Sequence, residues 1–480
     1  MEGSMTVASL PRTAVVAATM LLVAGCATFS KDGGFESVRQ TIKESSGKEV
    51  RVARTSADRD SIESSVAELL EKPLGVEDAV QIALLNNRGL QASFHELGVD
   101  EANLVQAGRL PNPRLTLTRS RGGIDVASSV EQAVSFSILS LVTMPLASEV
   151  EKRRFAQAQN RAALQALTLA SETRKAYFTA VAAEETLRYM RQVRTAAEAS
   201  AELARRMAQV GNWSALNRAR EQAFYAEAML QLARAEQSAV MSRERLTRLM
   251  GLWGKDIAFR LPERLPPLPA APDELPDVES LAMGGRLDLR MARLDVEAQA
   301  RFLGLTRTTR FVNVLDFGAS REREKGSGGD AATRRGYEIS FELPLFDFGS
   351  ARLARAEAIY MQAFDRAAEA AVNARSEVRE TYAGYRSSYD IARHFRDEIV
   401  PLRKRISDEN LQRYNGMLIG VFELLADARS QILSVNGSIE ALRDFWIARA
   451  DLDMALIGRP SFSQAPGVSA FGGEVPTASH

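Results

Sequence analysis

The chain has 480 residues, of which 45% are hydrophobic and 7% aromatic, and its 61 Lys and Arg residues balance 61 Asp and Glu residues. A net charge of zero gives no reason to expect a nucleic acid as a partner. The single cysteine excludes an intrachain disulfide, and with three histidines the sequence predicts neither a metal site nor a cofactor. Abundant alanine and interleaved charges are typical of long amphipathic helices.

The N-terminus carries a targeting signal. An apolar run from Ala14 to Ala24 is too short to span a bilayer, and it ends in small residues before Cys26. This pattern resembles a bacterial lipoprotein signal, in which residues 1–25 are removed and Cys26 carries the lipid. Ala27 after the cysteine favours sorting to the outer membrane. The alternative is an ordinary secretory signal with an unrelated cysteine.

A polar segment follows the signal. Residues 26–75 are predicted to form a lipid-anchored linker with one short helix from Ser56 to Leu70, which ends before Pro73. Apolar residues at helical spacing then predict a helix from Val76 to Leu110, which the prolines at positions 111 and 113 stop.

Period-two alternation predicts four strands in two β-hairpins. The strands cover residues 114–119, 133–143, 311–320 and 337–343, the hairpins span 114–146 and 311–346, and the connections 121–132 and 322–335 are polar. One apolar and one polar face suit a wall between lipid and a wet lumen, although a soluble sheet packed on helices gives the same pattern. Single-chain barrels begin at about eight strands, so a barrel requires oligomerisation, and a trimer would supply twelve.

Very long helices dominate the rest. They are predicted from Ser148 to Gln209, Ser214 to Met250, Ala351 to Ile399, Leu402 to Asn415 and Val421 to Leu456. At 1.5 Å per residue the first would be about 90 Å long, so it must pack laterally against other long helices. An extended bundle with no channel would fit these helices equally well.

The chain is a tandem duplication. Residues 171–178 (SETRKAYF) and 376–383 (SEVRETYA) lie 205 residues apart, and Gly211 and Gly416 share that offset. A repeat of this length indicates two copies of one architectural half rather than a solenoid. The predicted repeats are residues 76–265 and 266–460, with a proline-rich junction at their boundary and a disordered tail over 461–480.

These features together resemble the TolC family of outer-membrane efflux ducts. The resemblance covers about residues 74–458 and is carried by segments 76–87 (VEDAVQIALLNN), 106–113 (QAGRLPNP), 337–346 (YEISFELPLF) and 413–416 (RYNG). It implies an α+β fold of mostly long helices. In that fold a homotrimer forms an α-helical barrel in the periplasm, continuous with a 12-stranded transmembrane β-barrel in the outer membrane, with four strands per chain. The implied partners are outer-membrane lipid, a periplasmic adaptor and an inner-membrane pump.

The resemblance also implies roles for particular residues. The adaptor-docking tip would contain Gly211, Leu216, Gly416 and Leu424. A gate would contain Arg413 and Asp427, whose alternative is a solvated helix face. Glu338 and Glu342 would face the lumen, while Tyr337 and Phe341 would face lipid.

No constellation of catalytic groups accompanies these features, so the sequence predicts a non-enzymatic, passive duct. The opening of the first repeat and the lipoprotein start look most like the heavy-metal-efflux branch. Efflux of drugs or other organic compounds stays open, because a pump rather than a duct selects the cargo. The remaining alternative is a lipid-anchored coiled-coil scaffold without a pore.

Overall fold

The computed structural model describes residues 28–121, 128–312, 314–325 and 331–460. The predicted signal peptide, Cys26 and the predicted tail lie outside the described residues. The chain divides into two compact units that cut across both sequence repeats. Unit 1 contains residues up to 47, 89–165 and 287–372, and unit 2 contains residues 48–88, 166–286 and those from 373 onward.

Helices make up most of both units. The helices of the first half are α1 Phe35–Ser46, α2 Ser56–Leu70, α3 Val76–Asn86, α4 Arg88–Ala107, α5 Ile138–Gln209 and α6 Ala215–Met250. Those of the second half are α7 Val278–Gly285, α8 Leu287–Thr308, α9 Ser350–His394, α10 Val400–Asn415 and α11 Val421–Ile457. A π-helical turn, Phe395–Ile399, separates α9 from α10 just before Pro401. Within the part of the chain that the structure covers, no helix combines the length and apolarity needed to cross a bilayer.

The N-terminal linker is more ordered than the sequence predicted. Helix α1 buries Val38 and Ile42, and the Phe35 ring packs edge-on against Phe94 of α4, with ring centroids 4.9 Å apart. These apolar contacts hold α1 in unit 1, so the segment is not a simple tether. The predicted helix from Ser56 to Leu70 agrees with α2.

The predicted single helix from Val76 to Leu110 is wrong at Asn87, where the structure breaks it into α3 and α4. Asn87 adopts an extended ψ of 117°, and its side-chain amide donates to the Leu249 carbonyl at 2.9 Å. The Asn86 amide donates to the carbonyl of Gly251 at 2.8 Å. Both asparagines therefore satisfy carbonyls at the end of α6 that have no partner within that helix.

One antiparallel sheet with the strand order β1-β2-β3-β4 lies in unit 1. Its strands are β1 Arg114–Arg121, β2 Ser128–Ser137, β3 Leu315–Lys325 and β4 Ala331–Phe341. The predicted polar connections were therefore too long. The segment 321–325 alternates Arg and Glu, so each sign of charge takes its own face of the sheet, and this permits the strand to continue.

The second predicted strand, 133–143, was placed too late in the chain. The structure ends β2 at Ser137 and begins α5 at Ile138, ten residues before the predicted helix start at Ser148. The physical reason is the change of period, because apolar residues recur at the helical positions 138, 141, 142, 145 and 146. Pro145 lies in the third turn and removes one hydrogen bond without ending the helix.

Unit 2 contains similar ion pairs at matching places in the two predicted repeats. Arg174 of α5 pairs with Glu77 of α3 at 3.5 Å, and Arg379 of α9 pairs with Glu279 of α7 at 3.4 Å. Each repeat thus docks a short helix on a long one through the same kind of ion pair. In the second repeat the buried Arg286 adds a 2.7 Å pair with Glu377.

Tyr177 supplies a pH-sensitive contact in the core of unit 2. Its hydroxyl donates to the Leu74 carbonyl at 2.9 Å, and burial raises the pKa of Tyr177 to about 12. Since the unfolded chain ionises this group near pH 10, the stabilisation is fully present below pH 10 and is lost as the pH rises toward 12.

We expect Tyr177→Phe to lower the free energy of unfolding at neutral pH by about 1–2 kcal/mol, since the Leu74 carbonyl loses its donor. The variant should also lose stability less steeply than the wild type between pH 10 and pH 12. Thermal denaturation followed by circular dichroism measures both effects, and Tyr337→Phe, which removes an exposed hydroxyl, is the control. Parallel pH profiles for the wild type and Tyr177→Phe would contradict this assignment.

Candidate functional site

The sheet has two chemically different faces. Residues that pair directly across antiparallel strands lie on the same face, and Leu115, Val134, Ala319 and Tyr337 form one such row. Phe136, Phe317 and Ile339 form the next row on this face. Tyr337 is 83% exposed, and Ile339 and Leu115 are each 63% exposed. The described residues therefore leave these apolar rows uncovered.

The opposite face is polar and mainly acidic. It carries five acidic residues, Glu131, Asp316, Glu322, Glu324 and Glu338, and two basic residues, Arg114 and Arg334. The predicted lumen residue Glu338 lies on this face, opposite Gly318, and is exposed. Glu342, the second predicted lumen residue, follows the end of β4. Its assignment to a strand was wrong because β4 ends one residue earlier.

The two outer strands expose their backbone edges. Among the described residues, β1 pairs only with β2 and β4 pairs only with β3. Each outer edge therefore presents N–H and C=O groups that can pair with a further strand. A four-stranded sheet that exposes apolar rows on one face and is open at both edges has the properties of a barrel segment rather than of a sheet packed on its own helices.

The turn between α5 and α6 contains Gly211, as the sequence predicted. Gly211 has a φ of 77°, and the Asn212 N–H donates to the Met207 carbonyl at 2.9 Å. This is a Schellman motif, in which a left-handed residue ends the helix. The Ser214 hydroxyl then accepts from Asn217 N–H at 3.1 Å and caps α6.

The turn between α10 and α11 uses the same motif one residue later. The Leu418 N–H donates to the Arg413 carbonyl at 2.8 Å, and Met417 has a φ of 58°. Gly416 has a φ of −79°, so it does not occupy the left-handed position. The Met417 side chain is 93% exposed. A non-glycine residue in this conformation stores local strain.

Substitutions at the two turns should have opposite effects. Gly211→Ala places a Cβ in the left-handed region and should destabilise the turn by about 1–2 kcal/mol. Met417→Gly relieves the same strain and should stabilise its turn by a similar amount or less. Thermal denaturation measures both, and Gly416→Ala, at a φ that any residue adopts, should lie within about 0.5 kcal/mol of the wild type. Equal effects at 211 and 416 would refute the assigned one-residue shift.

The remaining predicted tip and gate residues lie near these turns in sequence. Leu216 is 60% exposed on α6, and Leu424 is half-buried on α11. Arg413 is exposed, and within the described residues it forms no ion pair with Asp427. One carboxylate oxygen of Asp427, Oδ2, is buried and accepts no hydrogen bond from a described residue.

A buried ion pair joins three long helices of unit 2. Glu221 of α6 is fully buried, accepts from the Ser200 hydroxyl of α5 at 2.7 Å and pairs with Arg429 of α11 at 2.9 Å. The guanidinium of Arg429 also lies over the Phe224 ring, 4.3 Å from its centroid. This cluster, hereafter the Glu221 cluster, ties the first helical hairpin to the second.

Comparisons with known proteins find one family over part of the chain. Residues 79–252, little more than a third of the chain, match the family model described as outer membrane efflux protein. No curated protein gives a match.

Solved structures share the fold of this chain. A CusC structure has a TM-score of 0.66 at 17% identity, over 80% of this chain and 92% of that one. The CmeC outer membrane channel of Campylobacter jejuni has a TM-score of 0.64 at 17% identity, over 90% and 92%. The open MtrE outer membrane channel of Neisseria gonorrhoeae has a TM-score of 0.66 at 19% identity, over 80% and 89%. The mainly helical architecture with a small antiparallel sheet is therefore that of outer-membrane channels.

Sequence reasoning missed two features of the helical part of the candidate site. The Glu221 cluster could have been found, because Glu221 occupies an apolar stripe of α6 that continues through Ala228, Leu232 and Ala235. The left-handed conformation of Met417 could not have been found, since nothing in its local sequence indicates that the second turn lies one residue later than the first.

Proposed function

We propose that three copies of this chain form a passive efflux channel in the bacterial outer membrane. In this proposal β1 of each copy pairs with β4 of the next, which closes the barrel and leaves no free edge. The observation that carries the proposal is the sheet itself. It has exposed apolar rows on one face, an acidic opposite face and two open edges, and a closed ring of three would satisfy all of them.

The proposed lumen is the acidic face. Glu338 and Asp316 lie in adjacent rows on this face, and three copies of each would make the wall favourable to cations. Tyr337 and Phe341 lie on the opposite face and would face lipid or form part of the aromatic girdle, as the sequence predicted.

The proposed partners are a periplasmic adaptor and an inner-membrane pump. The adaptor would dock on the two helical turns, at Gly211 and Leu216 of the first and Gly416 and Leu424 of the second. The exposed side chains of Leu216 and Met417 support an apolar docking surface. Arg413 and Asp427 would belong to the gate through contacts between copies.

The lipoprotein signal supports an additional anchor. Acyl chains on Cys26 would hold the N-terminus in the outer membrane while the rest of the chain extends into the periplasm. The proposed cargo is heavy-metal ions, which rests on the resemblance of the opening segment of the first repeat. Efflux of organic compounds is the alternative, since a passive duct needs no cargo site of its own.

Conductance through planar bilayers tests the channel directly. The full-length, detergent-extracted protein should migrate as a trimer by native mass spectrometry and should conduct ions. Glu338→Lys should make the channel more selective for anions, because it reverses a charge on the lumen face. The reversal potential in a salt gradient measures this change. Arg335→Glu, a charge reversal on the opposite face, is the matched control and should leave selectivity nearly unchanged. A monomer without conductance would instead support the pore-free scaffold.

Deletion of the gene tests the cargo. Sensitivity to copper and zinc without a change in antibiotic sensitivity would support the heavy-metal proposal, and the reverse pattern would support efflux of organic compounds. Complementation with the wild-type gene should restore resistance, and this control would show that the missing channel causes the sensitivity.

A further inference from the structure

A belt of positive charge follows the apolar rows on the same face of the sheet. The belt, hereafter the basic belt, contains six residues: Arg119, Arg121, Arg321, Arg323, Lys325 and Arg335. The register places them in three consecutive rows of this face, at the end where β1 and β3 finish and β2 and β4 begin. All six are exposed.

The acidic residues of the same strands cannot neutralise this belt across the sheet. Glu322 and Glu324 alternate with the basic residues along β3, so the pleat directs them to the opposite face, and Glu131 of β2 pairs with Glu322 and shares that face. Within the described residues, no acidic side chain shares the three basic rows. Six like charges this close repel one another, so a bound anion would stabilise the belt.

The belt borders an apolar surface that continues away from it. Phe136, Phe317 and Ile339 lie on the same face beyond the belt, and the exposed Leu343 and Leu345 follow β4 at that end. Cations are tolerated on the lipid-facing side of a barrel near the interface and are costly at the bilayer midplane. The belt therefore fits the boundary between hydrocarbon and headgroups.

The chemistry of the belt favours phosphate. Five of its six cations are arginines, whose planar guanidinium groups bind phosphate oxygens through two parallel hydrogen bonds. Apolar side chains in the adjoining rows would contact acyl chains of the same molecule. A ligand with phosphates and hydrocarbon together would satisfy both parts of the surface.

We propose that the basic belt binds the phosphate groups of glycolipid in the outer leaflet of the outer membrane. This inference rests on the proposed function, which places the helices in the periplasm and the lipid-facing side on the apolar face. The strand ends opposite the helices, where the belt lies, then reach the outer leaflet, whose glycolipid carries phosphates on its sugar headgroup.

The test compares two doubly substituted full-length proteins with equal loss of charge. Arg323→Gln with Arg335→Gln removes two cations from the belt, and Arg114→Gln with Arg334→Gln removes two from the opposite face. Each is extracted in mild detergent, and native mass spectrometry counts the lipid A molecules that remain bound per trimer after purified lipid A is added. We expect the belt variant to bind roughly tenfold more weakly than the wild type and the control to bind like the wild type.

A second measurement needs no variant. The wild-type protein should bind lipid A more tightly than the same glycolipid after enzymatic removal of its phosphates, and inorganic phosphate should displace lipid A poorly. Equal binding by the two double variants, equal binding of the two glycolipids, or full displacement by inorganic phosphate would each overturn the proposal. The belt variant is expected to conduct ions in bilayers without glycolipid. If the wild type conducted no ions in such bilayers, the proposed channel function would fail rather than the glycolipid site.

Discussion

Proline in strand β1 is expected to prevent assembly of the proposed trimer. Consecutive N–H groups of a strand point to opposite sides, so of Thr116 and Leu117 one donates toward β2 and the other points to the open edge. Proline at the second of these positions removes a donor only from the open edge. That variant should keep the β1–β2 ladder but leave a carbonyl of the neighbouring copy unpaired. The loss is about 1–3 kcal/mol at each interface, and repeated round the ring it should lower trimer formation by more than about tenfold.

Native mass spectrometry and planar-bilayer conductance measure this outcome. Thr116→Ala and Leu117→Ala keep both backbone donors and are the matched controls, so they should remain trimeric. The other proline variant should also weaken the hairpin within the chain, since its N–H pairs with β2. Wild-type conductance in both proline variants would show that β1 is not an interface between copies.

The Glu221 cluster should show an asymmetric response to loss of either partner. Arg429 is 30% exposed, whereas Glu221 is fully buried. Removing Arg429 therefore leaves a buried, uncompensated carboxylate, and Arg429→Met should cost about 3–5 kcal/mol. Glu221→Gln should cost less, because the remaining arginine stays partly hydrated and keeps its contact with the Phe224 ring.

Thermal denaturation of the purified protein measures both variants and the double variant Glu221→Leu with Arg429→Met. The double variant should recover much of the loss, because it leaves no buried charge. Arg205→Met is the control. It removes an exposed pair with Glu202, which is worth about 0.5 kcal/mol or less. A cost for Arg429→Met as small as that of the control would show that the buried pair contributes little.

The fold was predictable where a regular spacing of apolar residues extends along a whole helix or strand. The long helices, the four strands and the turn at Gly211 follow from spacing, from glycine and from the duplication. Strand boundaries were less accessible. Residues 321–325 are fully charged and look like a solvent loop, yet their alternation places one sign on each face of a continuing strand. A local polarity argument cannot detect this, because the partner strands decide it.

The site was only partly predictable for the same reason. Glu338 lies on the acidic face and its lumen role stays a prediction, whereas the strand position of Glu342 depended on a strand end that pairing with β3 determines. The break at Asn87 depends on carbonyls more than 160 positions away in the chain, at the end of α6. Contacts of this kind leave no periodic trace in the sequence near the residue that makes them.

The one-residue difference between the two turns has a consequence for recognition. A ring of three duplicated chains would present twice as many turns as chains, and these would alternate between a compact glycine corner and a corner that projects methionine. A partner with one binding surface repeated round such a ring would meet two quasi-equivalent environments. It would have to tolerate both, or distinguish them and bind in pairs.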